Sequence, residues 1–195
     1  MKRRTFDVLT TWVGAGLTVM LLVAGALLWV GFSFATNNVH DQLAAQKIFF
    51  PAAGSKALAP EDIGPYLNKY AGQQMVNGAQ AEAYADHFIA VHVKAIAGGK
   101  TYAEVSAAAQ VDPKNAALQT QANTLFKGET LRSMLLDAYA FWKVGQLAKL
   151  GSIAAFVLAG LMFVLTILGF RHASVVSTKD QFLAPPTRTA RRRVA

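Results

Sequence analysis

Two long apolar runs without a charged side chain constrain this chain more than any other feature of its sequence. They cover residues 8–34 and 150–170, and neither contains Asp, Glu, Lys, Arg or His. A helix of about 20 apolar residues spans the hydrocarbon core of a bilayer. Two separate runs of this length exceed what the core of a small soluble protein needs, so we expect two transmembrane helices.

The positive charge of the chain lies outside these runs. Of the net charge of +8, residues 1–7 contribute +2, residues 171–195 contribute +5 and residues 35–149 only +1. Short basic flanks are retained in the cytoplasm, and basic residues that bracket apolar runs are not the pattern of a nucleic-acid-binding protein. We therefore predict a multi-pass protein of the plasma membrane that contacts the lipid bilayer and no nucleic acid, with both termini cytoplasmic.

This topology divides the chain into five segments. They are a basic N-terminus (1–7), a first transmembrane helix (8–34), a helical extracytoplasmic domain (35–149), a second transmembrane helix (150–170) and a basic tail that we expect to be disordered (171–195). Trp12 and Trp29 are separated by about 25 Å along a helix, which suits aromatic anchors at the two interfaces. Trp142 is a third candidate anchor.

The first run also resembles a secretory signal, because it follows a basic start and ends at Ser33-Phe34-Ala35, a candidate cleavage site. The apolar core of a signal peptide has about 7–15 residues. The run here is much longer, which favours an uncleaved anchor over a cleaved signal.

The middle segment has the patterns of helices and almost none of strands, so we predict an all-α fold. We expect the first helix to continue to Lys47, a short helix from Pro60 to about Gly72, and a helix from Gly78 to Ile96. This last helix carries Tyr84, Phe88, Val91, His92 and Ala95 on one apolar face. Gly98 and Gly99 then form a C-cap.

Further capping signals follow in the sequence. Thr101 and Glu104 have the spacing of a capping box, and Asp112 before Pro113 has the pattern of an N-cap. Gly128 is expected to interrupt that helix. Beyond it, an amphipathic helix should run without a break into the second apolar run, with one face made of Leu131, Met134, Leu135, Ala138, Phe141, Trp142 and Gly145.

His87, His92 and Glu82 are the one group of side chains worth testing as metal ligands. Ligands on one helix face are three or four residues apart, whereas His87 and His92 point about 140° apart at 100° per residue. We therefore expect His92 in the apolar core and His87 on the polar side. The chain contains no Cys and no nucleophile, phosphate-binding or dinucleotide-binding motif, so we predict no catalytic residue, metal or cofactor.

Gly151, Ala155 and Ala159 recur every fourth residue along the second apolar run. Small residues at this spacing let transmembrane helices approach closely. They predict a packing surface, used either by the first helix of the same chain or by another membrane protein.

A set of segments in the chain resembles a family of actinobacterial two-span membrane proteins of unknown function. The resemblance rests on residues 39–51, IGPYLNKYAGQQMVNG (63–78), AYADHFIAVHVKAIAGGKTYAEVS (83–106) and LFKGETLRSMLLDAYAF (125–141), and it covers about residues 5–172. Members are often labelled aromatic ring-opening dioxygenases. The resemblance implies a plasma-membrane location rather than an activity.

Two functions are compatible with the sequence. The first is a non-enzymatic outer domain that binds a partner, as an accessory subunit of a larger membrane complex or as a homo-oligomer. The alternative is a non-haem iron enzyme of the ring-opening type, which would use His87, His92 and Glu82.

Overall fold

The computed structural model describes residues 3–175, and over that range the protein is all-α, as predicted. Its helices are α1 (Arg3–Gln46), α2 (Gly64–Leu67), α3 (Gly78–Tyr84), α4 (Ala90–Ile96), α5 (Tyr102–Val111) and α6 (Ala116–Val175). A π turn (Ala85–Ile89) joins α3 to α4, and two 3-10 turns (Lys56–Leu58, Asn68–Tyr70) flank α2. Among the described residues, strand-like pairing is limited to one isolated bridge between Phe49 and Gln74.

The chain forms two compact units. Among the described residues, the helix-pair unit consists of residues 3–29 and 149–175, and the middle unit of Val30–Ala148. The two long helices α1 and α6 are each long and apolar enough, by length and composition, to cross a membrane. The short helices lie between them in the sequence, within the middle unit.

Helix α6 differs from the prediction at both ends and at Gly128. Its N-cap is Asn115, whose side-chain oxygen accepts from the Leu118 amide at 3.2 Å; Asp112 instead ends α5. The helix continues through Gly128, where an added methyl group would lie 2.5 Å from Val93 Cγ2, so glycine permits close packing instead of breaking the helix. The helix reaches Val175, so the first five residues of the predicted tail are helical. The rest of the tail, 176–195, lies outside the described residues.

The core of the middle unit is built on a row of small and branched side chains spaced four residues apart. Ala81, Ala85, Ile89, Val93 and Ala97 are all buried, whereas the predicted face of Tyr84, Phe88, Val91 and His92 is only partly buried or exposed. In a regular α-helix, residues four apart drift by about 40° per step because it has 3.6 residues per turn. The π turn at 85–89 has more residues per turn than an α-helix, so it compensates for this rotation and keeps the five buried residues on the same face of the helix. The predicted face was wrong because it assumed a regular α-helix throughout.

Local capping signals in the middle unit behave as the sequence predicts. Thr101 Oγ1 accepts from the Glu104 amide at 3.3 Å, and the Glu104 carboxylate accepts from the Thr101 amide at 2.7 Å, which completes the capping box. Gly98 and Gly99 end α4 with φ values of 60° and 81°, in the left-handed region that glycine adopts without strain.

The helix-pair unit has small and hydroxyl-bearing side chains inside and large apolar side chains outside. On α6 the buried positions Ser152, Ala159, Thr166 and Ala173 recur every seventh residue, and on α1 Thr11, Thr18 and Gly25 do the same. A seven-residue repeat keeps one seam of each helix facing its partner. The outward-facing side chains are exposed and apolar, among them Leu9, Val13, Met20, Val23 and Leu27 of α1 and Val157, Leu161, Val164 and Leu168 of α6.

Candidate functional site

Several charged and polar side chains lie around the π turn, which itself carries Asp86 and His87. Single π turns inside helices are rare and occur frequently at functional sites. Here the turn follows seven residues of regular helix that begin at Gly78, capped by the side chain of Asn77. Gly78 is required at this point because an added methyl group would lie 2.5 Å from Trp142 Cβ on α6.

An ion pair joins the π turn to α6. Arg132 Nη2 lies 3.0 Å from Asp86 Oδ1, and Arg132 Nη1 lies 3.5 Å from a carboxylate oxygen of Glu129. Both members of the first pair are about one third exposed, so solvent screens their attraction. Arg132 is half-buried and bridges the two carboxylates.

Tyr139, two turns further along α6, lies near Asp86 and near a further carboxylate, that of Glu82. Its hydroxyl donates to Glu82, which raises the pKa of Tyr139 above its ordinary 10.0; desolvation and the negative charges of Glu82 and Asp86 act in the same direction. Burial also raises the pKa of Tyr84. These phenols therefore remain neutral hydrogen-bond donors at physiological pH.

His87 stacks on Tyr66 of α2, with ring centroids 3.5 Å apart and an angle of 2° between the planes. The stacked pair borders an open groove of about 720 Å³. The groove is also lined by Glu61, Asp62, Asp86 and Lys94. It has the size of a ligand site, but its openness and mixed charges do not specify a ligand class.

His92 lies elsewhere, and the expectation that it is a core residue was wrong. It is exposed, its Nδ1 donates to the Phe88 carbonyl oxygen at 2.7 Å, and its ring packs on that of Phe88 with centroids 4.4 Å apart. Because the ring turns back toward Phe88 while His87 stacks on Tyr66, each histidine has a separate environment.

No three His, Asp or Glu side chains among residues 3–175 are arranged so that they could hold a metal ion. The candidates His87, His92 and Glu82 are therefore not gathered into one ligand set.

A second groove in the middle unit is lined by apolar side chains together with Asn38, Gln42, Gln46 and Asp137. It has a volume of about 490 Å³ and lies between α1 and α6. Its walls include Leu131, Met134 and Phe141, which belong to the predicted apolar face of this helix. Leu135 of the same face is buried, whereas Met134 is 63% exposed. The predicted apolar face of α6 is thus split between the core and an exposed groove.

The three small residues predicted as a packing surface lie in the helix-pair unit. Ala155 and Ala159 are buried, Ala159 with only 1% exposed, and a methyl group at Gly151 would lie 3.3 Å from Leu28 Cδ1 of α1. Next to them, Ser152 Oγ donates to the Gly25 carbonyl oxygen at 2.7 Å in a fully buried position. Sequence reasoning missed Ser152, although a serine between small residues is a common interhelical donor.

The predicted aromatic anchors have different surroundings. Trp12 is exposed and meets Phe170 edge-on, with ring centroids 5.7 Å apart, and Trp29 is also largely exposed. Trp142 packs in the middle unit against Gly78. Its partly buried ring lies 6.3 Å from that of Tyr139. The role of all three as interface anchors stays a prediction.

These features define an all-α chain in which two long apolar helices flank a short helical middle region. Comparisons of the chain with protein-family models, with curated proteins and with solved structures gave no match.

Proposed function

We propose that this chain is an integral plasma-membrane protein with both termini in the cytoplasm, and that its middle unit is a non-enzymatic outer domain that binds a partner protein. We also propose that the chain belongs to the family of two-span membrane proteins that it resembles. The protein would act as an accessory subunit of a larger membrane assembly.

The observation that carries the membrane location is the reversed polarity of the helix-pair unit. Soluble helices bury large apolar side chains and expose polar ones, whereas here Thr18 and Ser152 are buried while Leu27 and Val164 are exposed. Exposed apolar patches beyond a few hundred Å² are rare on soluble monomers. Lipid supplies the missing apolar surroundings, because transmembrane helices associate through small residues and hydroxyl groups.

The surroundings of Ala35 favour an uncleaved first helix. Ala35 ends the candidate cleavage site, but it lies inside α1 and is buried. Its Cβ lies 2.9 Å from where a methyl group on Gly145 would stand. Cleavage after Ala35 would remove a residue that packs against α6 within the middle unit. Intact-mass measurement of the purified protein tests this point, and a mature chain that starts at Thr36 would contradict it.

Topology can be tested directly because the chain contains no cysteine. We expect Lys100→Cys to react with a membrane-impermeant maleimide in intact cells, and Ser174→Cys to react only after permeabilisation. Both positions are exposed in the structure, so a difference in labelling between them reports the side of the membrane on which each lies. The reverse pattern would overturn the topology, and recovery of the full chain in the aqueous fraction after carbonate washing would overturn the membrane location.

Partner binding is supported by the second groove of the middle unit, which leaves the apolar side chains of Met134 and Phe141 exposed. A photo-crosslinking amino acid at Met134 should yield a discrete product with one identified membrane protein. The matched control is the same substitution at Lys127, an exposed position on α6 outside this groove. A chain that stays a solitary monomer in mild detergent, with no position-dependent product, would contradict the proposal.

A further inference from the structure

The middle unit has an exposed apolar patch at the two ends of its sequence, where α1 enters the unit and α6 leaves it. We call it the terminal patch. The two residues of α1 in the patch are four positions apart and the two residues of α6 are three apart, so each pair lies on one face of its helix. The patch consists of Val30 and Phe34 of α1 and of Val144 and Leu147 of α6, each at least 60% exposed.

The contact between Ala35 and Gly145 fixes the register of α1 against α6 inside this unit. Both residues are buried, and a methyl group on Gly145 would lie 2.9 Å from Ala35 Cβ. The second groove brings residues 38–46 of α1 together with residues 131–141 of α6, so the two helices run antiparallel here. Leu147, which follows Gly145 by two residues, is therefore level with the last turn of the first apolar run.

The two apolar runs consequently end at different levels on the outer side. Phe34, the last residue of the first run, lies near the level of Gly145, whereas the second run begins only at residue 150, because Lys149 precedes it. These levels differ by about 8 Å along a helix. A flat bilayer has a single outer surface, so at most one of the two ends marks it. The exposed apolar side chains of Val144 and Leu147 favour the end of the first run.

The charged residues that flank the terminal patch agree with this choice. From Asp137 to the end of the second run at residue 170, α6 has no further acidic residue and two basic ones, Lys143 and Lys149. A lysine can lay its long stem along apolar surface while its ammonium group reaches the headgroups, whereas acidic side chains are rare within membrane spans. On α1 the first acidic residue beyond the first run is Asp41, whose side chain is 81% exposed. Acidic residues thus begin on both helices only beyond the terminal patch.

We propose that the terminal patch is embedded in the outer leaflet of the membrane, so that lipid covers it and the membrane boundary on α6 lies near Lys143 instead of residue 150. Acyl chains contact Val144 and Leu147, and the ammonium group of Lys143 lies among the headgroup phosphates. Transfer of these exposed apolar side chains from water to lipid is favourable for the same reason as insertion of the span itself. This inference rests on the proposed membrane location. It leaves the second groove, whose lining ends at Phe141 on α6, outside the hydrocarbon core.

Single cysteines carrying a nitroxide label test this boundary, because the chain contains no cysteine of its own. Ser133, Ala140, Leu147 and Ala154 are all exposed and recur every seventh residue, so they lie close to one face of α6. Each full-length variant is reconstituted in vesicles of phosphatidylethanolamine and phosphatidylglycerol. Spin relaxation by oxygen, which dissolves in lipid, is compared with relaxation by a water-soluble nickel chelate. We expect the oxygen-to-nickel ratio at Leu147→Cys to be several-fold higher than at Ser133→Cys and close to that at Ala154→Cys, with Ala140→Cys between them.

The Ala154→Cys variant separates failure of this inference from failure of the membrane location. If it favours oxygen while Leu147→Cys gives the ratio of Ser133→Cys, the terminal patch lies in water and the proposal is wrong. Low access of both reagents to Leu147→Cys would show that protein covers the patch, and would overturn the proposal as well. Free access of the nickel chelate to Ala154→Cys would contradict the membrane location itself. Circular dichroism of each labelled variant verifies that the helices are intact.

Discussion

Arg132 Nη2 lies 3.0 Å from Asp86 Oδ1, and this pair ties α6 to the π turn across 46 positions of sequence. The same guanidinium reaches Glu129 one turn earlier on its own helix. One side chain of α6 thus contacts the turn that carries His87 and a carboxylate of its own helix.

The coupling between Arg132 and Asp86 is measurable by a double-mutant cycle. Because both side chains are about one third exposed, we expect a coupling free energy of about 1 kcal/mol or less, after solvent screening. The variants Arg132→Leu, Asp86→Asn and their combination are compared by thermal unfolding in detergent. Arg132→Lys should retain only part of the coupling, since one ammonium cannot reach both carboxylates as the planar guanidinium does. Strictly additive effects would show that the pair contributes nothing.

Gly128→Ala should destabilise the protein, because the new methyl group would lie 2.5 Å from Val93 Cγ2. Overpacking of this kind typically costs about 1–3 kcal/mol, more than the gain of about 1 kcal/mol when Ala replaces Gly in a helix. In a Val93→Ala background the clash is absent, and Gly128→Ala should become neutral or stabilising. Gly31→Ala, with no atom near the added methyl group, serves as the control. Equal effects of the two glycine substitutions would contradict the packing argument.

Stability should depend on pH through the capping box of α5. The backbone amide and then the hydroxyl of Thr101 donate to the Glu104 carboxylate and lower its pKa below 4.5. A pKa lowered on folding gives a contribution that is complete above the ordinary value and is lost as pH falls through the folded value. We expect Glu104→Gln, which keeps an oxygen acceptor, to be less stable than the unaltered chain at neutral pH. The difference should shrink below about pH 4.5, as followed by hydrogen exchange of the α5 amides. A difference independent of pH would exclude the carboxylate as its source.

Ala159→Leu tests whether the small residues of α6 pack within the chain. Ala159 is 1% exposed in the helix-pair unit, so a leucine should force α1 and α6 apart and cost about 1–3 kcal/mol. Ser152→Ala, which removes the donor to Gly25, should cost about 0.6 kcal/mol, the average for interhelical hydrogen bonds in membranes. Leu158→Ala on the exposed face is the control. If Ala159→Leu left thermal stability unchanged but abolished association with another membrane protein, the packing surface would belong to that partner.

Iron analysis tests the enzymatic alternative. Protein purified from iron-supplemented cells should contain far less than one equivalent of iron, because His87, His92 and Glu82 do not form a common ligand set. His87→Ala and His92→Ala should leave the metal content unchanged. Stoichiometric iron that is lost in Glu82→Gln would reverse this conclusion.

Some structures of the middle unit could be predicted from short sequence patterns, and others could not. The Thr101–Glu104 box and the Gly98–Gly99 C-cap formed as predicted because each is decided by atoms within a few residues. The N-cap of α6 was misplaced by three residues, at Asp112 instead of Asn115, because both residue types cap equally well and only the packing of the turn selects between them. His92 was misplaced because the prediction assumed a uniform helical period.

The sequence by itself determined the all-α class, the two apolar helices and their basic flanks, because charge-free runs and helical periodicity are written in consecutive residues. The tertiary structure alone decided which helix faces are buried. The π turn changes which residues of the following helix face the core, and no local sequence pattern predicts that turn. It also decided the pairing of Asp86 with Arg132 and the contact of Thr166 with Gly14. Contacts between residues so distant along the chain depend on how whole helices pack, which local periodicity does not specify.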